Sequence, residues 1–131
     1  MATYSDGYEY HIHLSEGDIG RYVFLPGDPG RCETIAQHFD NPRFVASHRE
    51  HTTWAGELDG VPVAVTSTGM GGPSTAIAVE ELIHVGADTF MRVGTSGAMQ
   101  PETQPGDVAV INAADASPRV HREFFADAAD W

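Results

Sequence analysis

Three times in this chain a short apolar run stops at a glycine-bearing turn, and that punctuation constrains the fold more than any other feature. Tyr22-Val-Phe-Leu25 ends at Pro26-Gly27-Asp28-Pro29, ahead of a segment from Arg31 to Phe39 with Ile35, Ala36 and Phe39 at helical spacing. Val61 to Ser67 ends at Thr68-Gly-Met-Gly-Gly72, then Pro73 and a helix over about Ser74 to Val85, with Gly86 at its C-cap position. Thr89 to Val93 ends at Gly94-Thr-Ser-Gly97. Repeated strand–turn–helix units with glycine at the strand ends predict an α/β fold: a mixed central sheet flanked by helices, with ligands at the carboxyl ends of its strands.

Other segments fill in the outline. Thr52 to Leu58 and Val61 to Ser67 are β-rich runs joined by Asp59-Gly60, which predicts a hairpin. Asn41-Pro42 is expected to end the first helix, and Val108 to Ile111 to form a further strand after Pro105-Gly106-Asp107. Residues 1–9 read as ill-ordered, and no clean period runs past Ala113. With 131 residues, the chain reads as a single α/β domain over 1–131. No apolar run approaches the roughly 20 residues that span a bilayer.

Charge narrows the partners. Nineteen acidic residues face seven basic ones, a net charge of −12, and every basic residue is arginine. Such a surface repels nucleic acid and anionic membrane, so neither is expected as a partner. One cysteine, Cys32, and no export signal point to a reducing cytoplasm. Any anion site must be built from arginines and backbone N–H groups.

Few residues could carry chemistry. Gly27 to Arg31 follows a buried run and opens a helix; it is either an anion cradle or a plain turn with a solvated arginine. Arg92 interrupts an apolar strand, so it must be ion-paired or bind an anion, and Thr95, Ser96 and Gly97 follow with hydroxyls and close backbone approach. Ser47-His48-Arg49-Glu50-His51 reads, taken alone, as a solvated loop. His11 and His13 would share a strand face, but without further ligands they make a poor zinc site. Cys32 reads as a small core residue, and His38, His84 and His121 gain no partner from the sequence.

In order, PGDPGR at 26–31, ASHREHTTW at 46–54, STGMGGPSTAIAVEEL at 67–82, MRVGTSGA at 91–98 and PGDV at 105–108 resemble the nucleoside phosphorylase family, over about residues 10 to 112. The pyrimidine-specific members fit best. The resemblance implies a pentosyltransferase: phosphate attacks the anomeric carbon of uridine as uracil leaves, giving ribose 1-phosphate. It implies a phosphate site of Gly27, Arg31, Arg92 and Thr95, with Arg49 from a neighbouring subunit. It implies that His11 reaches across a dimer to the ribose, above a floor of Thr95, Ser96 and Gly97. Of these, His11, Arg92 and Thr95 would be catalytic. Glu50, Met70 and Ser74 match positions that hold a monovalent cation, potassium, at the dimer interface of some members. No other cofactor is implied. Phosphate is a co-substrate, and the assembly is a homo-oligomer, dimer or hexamer.

The sequence also departs from the family. The base-reading Gln and Arg and the ribose-binding Met-Glu pair belong to a second half that has no counterpart here, and residues 113–131 do not align. The chain is expected to be truncated, resembling the N-terminal half and turning over little by itself. Two alternatives stand beside the first reading: a purine nucleoside phosphorylase, and a non-catalytic module that binds phosphate and dimerises.

Overall fold

The computed structural model describes residues 7–111. The chain divides into two compact units, Met1–Gly94 and Thr95–Trp131. The first holds every regular element among the described residues: β1 (Tyr22–Leu25), α1 (Gly30–Ala36), β2 (Asp40–His48), β3 (His51–Leu58), β4 (Val61–Thr66), α2 (Gly72–His84) and β5 (Thr89–Arg92). They build a five-stranded sheet of order β2-β3-β4-β1-β5. Strands β2, β3 and β4 form an antiparallel meander, and β1 lies parallel to both β4 and β5. The mixed sheet and its two helices match the expected class.

Parallel strands need cover on both faces, and alternation along β1 and β4 supplies two apolar faces. Val23, Leu25 and Ala64 join Leu82 and Val85 of α2 and Ile12 and Leu14 of the N-terminal segment in one core. Val63 and Val65 join Cys32, Ala36 and Phe39 in the other. The Asp59-Gly60 hairpin forms as expected, both residues at positive φ (50° and 77°), which suits a two-residue turn between twisted strands. The end of α2 is a Schellman motif: Gly86 N–H donates to Ile83 O at 3.1 Å and Ala87 N–H to Leu82 O at 2.9 Å, with Gly86 at φ 107°.

Several expectations are corrected. Asn41-Pro42 does not merely end a helix; both belong to β2, an edge strand where proline costs no ladder bond and where two register shifts bend the pairing. The sequence 47–51 is the tip of the β2–β3 hairpin rather than a solvated loop, and His51 is buried. The apolar run from Thr89 does form a strand, β5, which among the described residues stands at the end of the sheet order and is largely exposed. Val108 to Ile111 forms no strand; Val108 and Val110 are more than 90% exposed, at 93% and 94%. Glu9 is ordered and buried, with its N–H on Leu14 O at 2.8 Å. Residues 1–6 and 112–131, including His121, lie outside the described residues.

Candidate active site

The carboxyl ends of β1, β4 and β5 lie side by side, and their following loops are laced together by backbone hydrogen bonds. Thr68 N–H donates to Pro26 O (2.9 Å), Gly69 N–H to Gly27 O (3.0 Å) and Val93 N–H to Leu25 O (3.2 Å). The ladder therefore continues one or two residues past the strands and brings the turns after β1 and β4, with Val93 beside them, to one rim. Beneath it, Ser67 Oγ donates to Glu50 O and accepts from Thr52 N–H, while His51 Nδ1 meets Ser67 O at 2.9 Å.

Arg92 stands at this rim. Its Nη1 donates to Leu25 O at 2.9 Å and to Val93 O at 2.6 Å. Its Nη2 lies 3.2 Å from where a Cβ on Gly27 would sit. Gly27 thus leaves the room in which the guanidinium lies flat on the turn. Among the described residues β5 has one strand neighbour, β1, and Arg92 is exposed. Arg31 occupies the first turn of α1, half-buried, just beyond the same turn. The start of that helix is already filled: Asp28 Oδ1 accepts from Gly30 N–H at 2.9 Å, so this N–H is not an open anion donor.

Arg49, at the hairpin tip, has φ 53° and lies over the Tyr10 ring at 5.5 Å. Among the described residues no carboxylate comes within ion-pair distance of Arg31, Arg49 or Arg92, whereas Arg21 pairs with Asp88 at 2.8 Å and Arg43 donates to Asp18 O. In so acidic a chain an arginine without an acid is able to take an anion; Arg43 also lacks one among the described residues, so it is their place at or beside the rim that singles out Arg92 and Arg31.

Glu50, next to Arg49, turns toward the loop after β4. Ser74 Oγ lies 2.8 Å from Glu50 Oε1 and also beside Thr68 O, the two acceptors sharing its one hydroxyl hydrogen. The backbone N–H of Glu50 and the Ser74 hydroxyl hold the Glu50 carboxyl below the usual carboxylate range. A Cβ on Gly69 (φ 69°) would come within 2.6 Å of Glu50 Cγ, so this contact requires glycine. Glu50 and Ser74 are thus brought together as two oxygen donors. The Met70 side chain is 96% exposed and brings no such donor.

His11 lies in a turn, not on a strand, and it parts from His13: His13 stacks on His48 at 4.1 Å between ring centroids. The His11 ring meets Glu81 instead, with Nδ1 2.6 Å from Oε1. His84, given no partner above, pairs with Glu9 at 3.5 Å. The sequence reading passed over Glu81. Its signal is the spacing of Ala78, Glu81, Leu82 and Val85, which sets an acid on the apolar stripe of α2. Thr95, Ser96 and Gly97 open the second unit and are exposed; Ser96 Oγ donates to Gly97 O at 3.2 Å.

Comparison with known proteins gives the family. A model described as the phosphorylase superfamily matches residues 21–128, reaching beyond Asn112. The chain is 60% identical over 112 residues to a uridine phosphorylase of Treponema pallidum, covering 86% of this chain and 43% of that protein. It is 54% identical over 109 residues to a uridine phosphorylase of Thermococcus kodakarensis, covering 83% and 39%. It is 44% identical over 104 residues to a guanosine phosphorylase of Halorubrum lacusprofundi, covering 79% and 43%. The chain thus spans about two fifths of the length of these relatives.

Proposed function

The chain belongs to the phosphorylase superfamily, and from that premise we propose that it supplies the phosphate-holding part of an enzyme for reversible phosphorolysis of uridine to uracil and ribose 1-phosphate. The observation that carries this reading is Arg92: its guanidinium is tethered by two loop carbonyls, seated against Gly27, without an acid partner among the described residues, at the meeting point of three parallel strand ends. A group so held is already oriented before phosphate arrives. Phosphorolysis needs mainly that: two reactants aligned and the negative charge stabilised as the glycosidic bond breaks.

In this reading Gly27, Arg31, Arg92 and Thr95 hold phosphate, joined by Arg49 of a neighbouring subunit. His11 accepts from a ribose hydroxyl across the interface. Thr95, Ser96 and Gly97 lie under the ribose. Glu50 and Ser74 hold a potassium ion beside the interface, Met70 contributing only through its backbone. The active form is a cytoplasmic homo-oligomer. A second reading, phosphorolysis of a purine nucleoside, is favoured by the Halorubrum likeness.

The test is phosphate-dependent release of uracil from uridine, followed by ultraviolet absorbance. It is run on the 131-residue chain alone and after mixing with the remaining part of the Treponema relative. Little turnover alone, turnover on mixing, and loss in Arg92→Ala are expected. Guanine but no uracil release would select the purine reading. Phosphate binding with no turnover in any mixture would select a non-catalytic module.

A further inference from the structure

Glu81 is an acid on the buried face of a helix, and three N–H groups converge on it. Its Oε2 accepts from the backbone N–H of His11 at 2.9 Å and of Ile12 at 2.9 Å. Its Oε1 lies 2.6 Å from His11 Nδ1. The carboxylate is 8% exposed and Ile12 fully buried. Removing a carboxylate from water is costly unless charge-assisted hydrogen bonds replace its hydration, and here they come from one short turn. An ionised carboxylate only accepts, so Nδ1 must carry the proton. With Nδ1 carrying the proton, a neutral ring has its lone pair on Nε2, on the side turned from Glu81, able to accept from a hydroxyl. Neutral imidazole in water favours the opposite tautomer, so the fold has imposed this one. Tyr10 braces the ring edge-on at 4.8 Å, and His48 Nδ1 meets His11 O at 3.0 Å.

We propose that Glu81 is a positioning residue: it fixes the His11 tautomer and ring direction so that Nε2 accepts a hydrogen bond from a sugar hydroxyl. The sugar rests on the function proposed above; the tautomer does not. Glutamine at 81 keeps one oxygen that can accept from the His11 and Ile12 N–H groups but sets its NH2 donor opposite Nδ1, and aspartate would be a methylene too short.

The experiment is a long-range ¹H–¹⁵N correlation spectrum of the full labelled chain at about pH 8, where an ordinary imidazole is neutral. Loss of one signal in His11→Gln assigns the ring. The expected wild-type pattern is Nδ1-protonated, changing in Glu81→Gln toward the Nε2-protonated form. An Nε2-protonated wild type overturns the proposal whether or not the variant folds, as does a variant that keeps the wild-type pattern. In the mixed assembly, Glu81→Gln is expected to raise KM for uridine about tenfold with KM for phosphate unchanged, the loss of one hydrogen bond. An unchanged uridine KM overturns the role in binding. Absence of uracil release from the wild-type assembly counts against the proposed function alone, because the tautomer is read without turnover.

Discussion

At the scale of single residues, Arg92 and Cys32 make opposite predictions. Arg92 offers a charge to the rim, so Arg92→Ala should weaken phosphate binding by about 1.5–3 kcal/mol, the range for a charge-assisted bond. Arg21→Ala, which removes an exposed partner of Asp88, should leave phosphate binding unchanged. Phosphate titration by calorimetry or ³¹P NMR separates the two. Cys32 is fully buried with Sγ donating to Thr52 O at 3.2 Å, and burial pushes its thiol up to about 11. In the unfolded chain a thiol ionises near 8.5. The unfolded form therefore sheds its proton first, and stability should fall as pH rises from about 8.5 toward 11. Urea midpoints at pH 8 and 10 should differ more in wild type than in Cys32→Ala, and native Cys32 should resist alkylation. Both residues were visible in the sequence, but with unequal understanding. Cys32 was read correctly from size and polarity. Arg92 stands out as a charge in an apolar run; its seat against Gly27 depends on strand order, which a linear pattern does not encode.

At the scale of elements, the parts with strong local rules were legible. The Asp59-Gly60 hairpin and the helix ending at Gly86 follow from turn chemistry alone. Because Gly86 holds φ 107°, Gly86→Ala should destabilise the domain by about 1–2 kcal/mol, read as a lower urea midpoint with an unchanged slope. Strand β2 was hidden because it breaks those rules. It is an edge strand, exposed through its first half, bulged twice, and carries Asn41 and Pro42. Its evidence lies in its partner β3, not in itself. Glu81 was hidden for the reverse reason: its spacing was plain, but an acid on an apolar stripe acquires meaning only when the amides of His11 and Ile12 arrive from 70 and 69 residues away.

At the scale of the whole molecule, the charge of −12 sets each copy against every other. If His11 and Arg49 work across an interface, assembly must overcome that repulsion, and salt shortens its reach. Light scattering after size exclusion should therefore show a larger mass at 1 M salt, where the screening length is about 3 Å, than at 0.01 M, where it is about 30 Å. A mass independent of salt would mean that the interface is neutral or that the chain stays monomeric. Sheet order carries a further consequence, in time rather than space. The meander of β2, β3 and β4 is made from neighbours in sequence, so it can form as soon as it is synthesised. Strand β1, the earliest of the five in sequence, must wait: Tyr22 finds its partners only when Val63 and Thr89 have appeared. Closing such distant pairs is slow, because chain entropy is spent before any contact repays it. Of these five strands, β5 is the last to be synthesised, and a nascent chain without it carries the Gly27 turn but not the guanidinium that completes it.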